Sequence, residues 1–278
     1  MLSPRHIIFA AVDHMFQQAS GDRAGAVSDA LEALARRGVP VVLCSHGTRA
    51  QLEPLRRKLE HVHPFLVEGG GGLFIPDGYF NLHLEGATRF GRSFCVPFAR
   101  SHAEAAAALP EIAEEAGASV VGFAQMSVRE IARNTGLSAH DAELYRQREF
   151  GEVFFLAGET EKIARRFSEV ARKKGWEAVP GDPLWEFRGR LTRNGPGAVR
   201  HLMAIYRKAL HGKQRSIGIG SSAGDLYVLS ATDTAVIVPL REDEYDQRLL
   251  AALPHAIRAG QLGPEGWGEA LMLALKKS

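Results

Sequence analysis

Apolar residues in this 278-residue chain gather into short runs separated by stretches of helical period. Residues 7–12 are six consecutive apolar positions, the pattern of a strand covered on both faces. In residues 22–37, Val27, Leu31 and Leu34 recur on one helical face, and Gly38 follows where a helix commonly stops. Residues 39–44 form a second apolar run and residues 48–59 a second helix. Strand, helix, strand, helix at these lengths predicts right-handed crossovers and a doubly wound, mostly parallel sheet. Phe65-Leu66-Val67 and Leu73-Phe74-Ile75 flank Glu68 and the glycines at 69–72, which predicts a tight turn or hairpin at the carboxyl edge of that sheet.

From about residue 83 the texture changes. An Ala- and Glu-rich helix over 103–116 leads to a strand at 120–123, helices near 128–134 and 140–148, a strand at 153–156, a helix over 159–174 and a short strand at Trp185-Glu186-Phe187. This reads as an inserted α+β module. The earlier pattern then resumes with a helix over 197–210, carrying Val199, Leu202, Ile205 and Tyr206 in register. A strand at 216–220, a Ser-Gly turn, a helix starting at Asp225-Leu226 and a final strand at 235–238 complete it. The expected layout is an α/β core over 1–84 and 189–278 with an α+β domain over 85–188 between its halves.

Composition narrows the function classes. Hydrophobic residues at 45% and charged residues at 24% are ordinary for a soluble globular protein. A formal charge of +2, with basic and acidic residues interspersed, argues against a nucleic-acid surface; Arg165-Arg166 and Arg172-Lys173-Lys174 read as a solvated helix face. Two cysteines make no disulfide framework, Asp13 and Gln17-Gln18 interrupt any apolar leader, and no run reaches bilayer length. The expectation is a cytoplasmic protein with no nucleic-acid or membrane partner.

Open α/β sheets place their chemistry outside the carboxyl ends of the strands. There the sequence offers Asp13, Ser45, Thr48, Arg49 and Asp225. Each has an ordinary alternative: Asp13 as a turn or helix cap, Ser45 and Thr48 as N-caps, Arg49 as an exposed first-turn cation. The glycines at 69–72 fit neither phosphate-cradling spacing and read as a turn. Cys44 reads as a buried, inert thiol, with a substitute nucleophile as the sharper reading. His14 and His46 form a candidate imidazole pair for acid/base work or a transition metal.

Several runs carry a resemblance: Gly38-Val39-Pro40-Val41-Val42, Ser45 with Thr48-Arg49, Pro64-Phe65-Leu66-Val67-Glu68 with Gly70-Gly71, and Leu73-Phe74-Ile75-Pro76. Arg148-Glu149-Phe150-Gly151-Glu152 and the segment 218–226 join them. Through these the chain resembles the mannosyl-3-phosphoglycerate phosphatase branch of the haloacid dehalogenase superfamily. The resemblance implies a Rossmann-like core with an inserted cap. It also implies an aspartate nucleophile, an acid/base aspartate two residues on, Mg²⁺ on carboxylates, and a hydroxyl and lysine on the phosphoryl oxygens. By the same likeness Arg148, Glu149 and Glu152 belong to the cap segment that meets substrate, with a helix-end ion pair as the bland alternative.

Measured against that pattern, the chain has lost charge. Asp13 keeps the acid/base place, while Ala11 stands where the nucleophile belongs. Gly47 replaces a lysine, and Asn194-Gly195-Pro196 aligns with the run that carries the phosphate-binding lysine. Ser221 replaces a metal-binding aspartate, Gly224 an asparagine, and Asp225 remains, so Asp13 and Asp225 are the surviving metal carboxylates of a weakened or lost Mg²⁺ site. Loss of a covalent nucleophile alone costs roughly six orders of magnitude in hydrolases whose triads have been dissected. The expectation is therefore a pseudo-phosphatase that binds a phosphorylated sugar or glycerate, or a protein partner. The alternative is an active phosphatase of the same family with rearranged residues.

Overall fold

A computed structural model of the chain describes residues 5–13, 24–158, 160–181, 184–189, 197–241 and 244–276. They divide into two compact units, one of residues 1–46, 56–96 and 195–278, the other of residues 47–55 and 97–194. The first unit is built on a nine-stranded sheet of order β13-β12-β11-β1-β2-β3-β4-β6-β5. Its strands are β1 (His6–Ala11), β2 (Val41–Cys44), β3 (Phe65–Val67), β4 (Gly72–Pro76), β5 (Thr88–Phe90), β6 (Ser93–Pro97), β11 (Arg215–Gly220), β12 (Thr234–Ile237) and β13 (Ile257–Arg258). The order skips from β2 through β1 to β11 because the chain leaves this sheet for the inserted segment and returns beside its first strand.

β1 lies at the centre, parallel to β2 on one side and β11 on the other. Ile7, Ile8, Phe9 and Ala10 are fully buried, as an uninterrupted apolar run requires when both faces of a parallel sheet are covered. Helices Ala24–Arg36 and Ala198–Leu210 bury Val27 and Leu34, and Val199, Leu202 and Tyr206, on the stripe that the sequence period marks. Ala11 is level with Cys44, and Ala10 with Ile219, so Ala11, Cys44 and Gly220 end their strands on one edge. The predicted hairpin is present: β3 and β4 pair antiparallel across the glycines.

The second unit holds a four-stranded antiparallel sheet, β7 (Ser119–Gly122), β8 (Glu152–Ala157), β10 (Trp185–Arg188) and β9 (Glu177–Val179) in that order. Alternation along β8 serves two cores. Phe154 and Leu156 pack with Phe167, Trp185 and Phe187, whereas Val153 packs with Phe123, Ile131 and Ala142. Burying side chains of this size contributes about 1.5–3 kcal/mol each, so these clusters hold helices His102–Ala116, Glu161–Lys173 and Val128–Thr135 to the sheet.

Three expectations differ from the structure. The inserted unit begins at Pro97 and not at 85, because β5 and β6 pair with each other at the end of the core sheet. The change of texture near residue 83 marks a loop ahead of these strands. Residues 47–55 group with the inserted unit through Thr48 and Arg49. β12 is not the final strand: β13 adds parallel to it, followed by the helix Gly263–Lys276. No helix among the described residues is long and apolar enough to cross a membrane.

Candidate functional site

At the carboxyl edge of the first unit, the residues after β1, β2 and β11 converge. Ser45 Oγ donates to Asp13 Oδ1 at 2.5 Å, and the His46 backbone N–H donates to Asp13 Oδ2 at 2.7 Å. Asp225, almost wholly buried, folds back over the end of β11. Its Oδ2 accepts from the Ser221 and Ser222 N–H groups at 2.8 and 2.9 Å and from Ser222 Oγ at 3.3 Å. It thus caps the short turn Ala223–Asp225. Ala11, 8% exposed, presents a methyl at the end of β1, and its carbonyl accepts from Trp267 Nε1 at 3.3 Å.

Burial raises the Asp13 carboxyl above its ordinary range; the His46 imidazole and the two donors pull it back, and the Asp225 carboxylate adds to the rise. Burial, with Asp225 and Asp13 as negative neighbours, also pushes the Cys44 thiol well up. A thiol held in its protonated form is a poor nucleophile, so Cys44 is the inert strand-end residue. Glu68, also buried, adopts φ 52° ahead of Gly69 and Gly70, and Gly69 N–H donates to the Ser45 carbonyl at 3.1 Å. The glycines therefore form the turn expected of them.

Two glycines on this edge accommodate rings. A Cβ on Gly224 would stand 3.0 Å from His46 Nε2, and a Cβ on Gly70 would stand 3.0 Å from Tyr227 Cδ2. The two rings meet edge to face, centroids 5.4 Å apart. Tyr227 was not among the candidates, since a tyrosine following Asp225-Leu226 carries no sequence signal. The contact of His46 with Gly224 joins residues 178 positions apart and is equally invisible in the chain.

The remaining candidates belong to the second unit. Thr48 is the N-cap of the helix Arg49–Lys58: its Oγ1 accepts from Gln51 N–H at 3.2 Å, and Gln51 Oε1 accepts the Thr48 N–H at 2.9 Å. The Thr48 hydroxyl also donates to the Leu144 carbonyl at 2.8 Å. Arg49 donates to Glu149 at 2.8 Å and to Glu53 at 2.5 Å. Burial works against the Arg49 charge, but the two carboxylates more than compensate and raise its proton affinity. Arg148 lies over the Tyr145 ring at 5.7 Å. Glu152, 1% exposed, accepts from the Ala124 and Val153 N–H groups at 3.1 and 2.8 Å, with His102 Nδ1 4.0 Å away. The structure thus groups Ala11, Asp13, Ser45, His46, Ser221 and Asp225 in one unit, and Thr48, Arg49 and Glu149 in the other. His14 and Asn194-Gly195-Pro196 lie outside the described residues.

Mg²⁺ demands several oxygen ligands in near-octahedral array and dehydrates reluctantly. Both Asp13 oxygens and Oδ2 of Asp225 are already engaged by N–H and O–H donors, position 11 supplies a methyl, and position 221 a hydroxyl. Among the described residues no three or more His, Cys, Asp or Glu side chains are grouped so as to hold a metal ion. This donor set does not fit the ion that the resemblance implies.

Comparison with known proteins gives the lineage. No family model matches the chain. It is 30% identical over 274 residues to a glucosyl-3-phosphoglycerate/mannosyl-3-phosphoglycerate phosphatase of Methanococcoides burtonii, covering 99% of this chain and 98% of that protein. A protein of the same name from Persephonella marina is 27% identical over 249 residues, 89% of this chain and 88% of its own. Among solved structures, a haloacid dehalogenase-like hydrolase from Bacteroides thetaiotaomicron aligns over 96% of this chain and 98% of its own, with TM-score 0.63 and 15% identity. The sucrose-phosphatase of Synechocystis sp. PCC6803 aligns over 98% of each chain, with TM-score 0.55 and 13% identity. At these identities the structural likeness concerns the fold.

Proposed function

We propose that this chain, which belongs to the mannosyl-3-phosphoglycerate phosphatase family of the haloacid dehalogenase superfamily, binds a phosphorylated glycosyl-glycerate or sugar without the aspartyl-phosphate turnover of its relatives. The observation that carries the reading is Ala11. A methyl group stands at the end of the central strand, two residues before a carboxylate bound to Ser45 and to the His46 backbone. Formation of an aspartyl-phosphate requires a carboxylate oxygen in line with phosphorus, and the methyl at position 11 supplies none. Binding is a smaller demand. Hydroxyls, backbone N–H groups and guanidinium suffice for a phosphate; the first unit offers Ser45 and the second Thr48, Arg49 and Arg148, while the carboxylates Glu149 and Glu152 would serve ligand hydroxyls. For Arg49 to receive an anion, it must exchange Glu149 or Glu53 for the ligand.

One observation favours a second reading, an active hydrolase with rearranged residues. The raised proton affinity of Asp13 suits a proton donor to a leaving group. A single set of assays separates the two. The full chain is titrated with glucosyl-3-phosphoglycerate and mannosyl-3-phosphoglycerate by calorimetry, and phosphate release is followed with and without Mg²⁺. Saturable binding with no enzyme-dependent phosphate release is the expected result. Release that is lost in Asp13→Asn would overturn it.

A further inference from the structure

We infer that the packing of His46 over Gly224 has made the carboxyl edge of the first unit metal-independent, so that a phosphorylated ligand bound by this chain is bound without a divalent ion. The inference rests on the binding reading above and concerns how, not whether, the ligand is bound. The argument begins with space. The imidazole of His46 occupies the concavity over the Gly224 α-carbon, and any Cβ at 224 would meet Nε2 at 3.0 Å. That is tighter than side-chain carbons ordinarily approach. An asparagine at 224, as the resemblance implies for active relatives, and an imidazole at 46 therefore compete for the same volume.

The second ring of the arrangement is held in the same way. Tyr227 sits edge-on to His46 and lies across Gly70, where φ is +84° and a Cβ would again come within 3.0 Å. A glycine beneath each of two touching rings is a packing solution in which all four positions depend on one another. It differs from the loss of one ligand by drift. A side chain at 224 or 70 requires the ring above it to give way by a few tenths of an ångström.

Charge agrees with space. Both oxygens of Asp13 accept from Ser45 and the His46 N–H, and Oδ2 of Asp225 accepts from the Ser221 and Ser222 N–H groups and from Ser222 Oγ, so these three oxygens are already held by donors. Ser221 contributes no anionic oxygen. A hard cation entering here competes with those donors for three of the four carboxylate oxygens and finds few further charged ligands.

The test uses the metal alone. Mn²⁺ is titrated into the full chain and followed by electron paramagnetic resonance, in parallel with a triple variant His46→Ser, Gly224→Asn, Ser221→Asp. The wild-type chain is expected to show no stoichiometric Mn²⁺ site at millimolar metal. The variant, folded by circular dichroism, is expected to bind at least about tenfold more tightly, the scale on which surrounding residues tune metal sites. Inorganic phosphate titrated calorimetrically into the wild type should bind equally, within about twofold, in EDTA and in Mg²⁺. A one-to-one Mn²⁺ site in the wild-type chain, weakened by Asp225→Asn, overturns the inference whether or not the triple variant folds. So does phosphate binding that requires Mg²⁺. Metal-free hydrolysis of the glycosyl-glycerates would instead remove the non-turnover reading and leave this inference standing.

Discussion

Ser45 and Asp13, 32 residues apart, are joined by a 2.5 Å hydrogen bond that ties the end of β2 to the end of β1. Removing the hydroxyl leaves a buried carboxylate short of a donor, so Ser45→Ala is expected to lower stability by about 1–3 kcal/mol. The pH dependence has a definite sign. Asp13 has a raised folded-state value, so its contribution is present below the unfolded carboxylate pKa and lost as pH rises through the folded one. Ser45 is among the groups holding that value down. The deficit of Ser45→Ala should therefore be larger at pH 7 than at pH 4. Urea denaturation of both chains at the two pH values measures this, and an equal deficit at both would contradict it.

At the opposite ends of the strands, His61 Nε2 meets the Val41 carbonyl at 2.7 Å while Arg56 donates to Nδ1 at 3.2 Å. His63 Nδ1 meets the Tyr79 hydroxyl at 2.7 Å, and Tyr79 meets Tyr206 at 2.9 Å. Burial, with the Arg56 charge beside them, lowers His61 to about 3 and His63 to about 4. Both are depressed bases, so their stability is complete above the unfolded value near 6.5 and is lost as pH falls from 6.5 to about 3 for His61 and about 4 for His63. Wild-type stability should drop over that window by on the order of 2–3 kcal/mol per histidine. His63→Phe should flatten part of the slope. A variant with an unchanged slope would show that His63 is not buried neutral.

Much of the fold was legible in the chain because its core strands are continuous apolar runs and its helices carry clear stripes. Residues 7–12 and 216–220, and Val27 with Leu34, fall where period and burial agree. The terminal helix was not legible: Gly263, Gly266 and Gly268 interrupt its period, and only tertiary packing of Trp267, Ala270 and Leu271 overrides that cost. β13, at two residues, is shorter than any period. At the site, individual losses such as Ala11 and Ser221 could be read position by position. Pairings could not, since the contacts of Glu149 with Arg49 and of His46 with Gly224 span about a hundred residues or more.

Tyr227 on Gly70 gives a test of packing that is independent of metal or ligand. Gly70→Ala adds a methyl against the ring and places an L-residue at φ +84°. A loss of about 2–3 kcal/mol is expected, the combined cost of crowding and a left-handed backbone. In a Tyr227→Leu background the crowding part should disappear and the backbone part remain. A double-mutant cycle by chemical denaturation reads the difference, and zero coupling between the two positions would show that the ring does not rest on Gly70.

Restoring the nucleophile alone should fail. Ala11→Asp adds a carboxylate at a nearly buried strand end, close to Asp13, itself already disfavoured as an anion by burial and by Asp225. A third negative charge without a compensating cation raises the proton affinity of the group, and a protonated acid does not attack phosphorus. The expected result is a chain destabilised by about 2–4 kcal/mol, with no phosphate release from mannosyl-3-phosphoglycerate and no acid-stable phosphoenzyme after quenching. Combining Ala11→Asp with His46→Ser, Gly224→Asn and Ser221→Asp provides room and charge for a cation, and Mg²⁺-dependent release should appear only there. Turnover in the single variant would mean that one methyl group separates this chain from its active relatives, and that the ring cradle at Gly224 does not bar a metal.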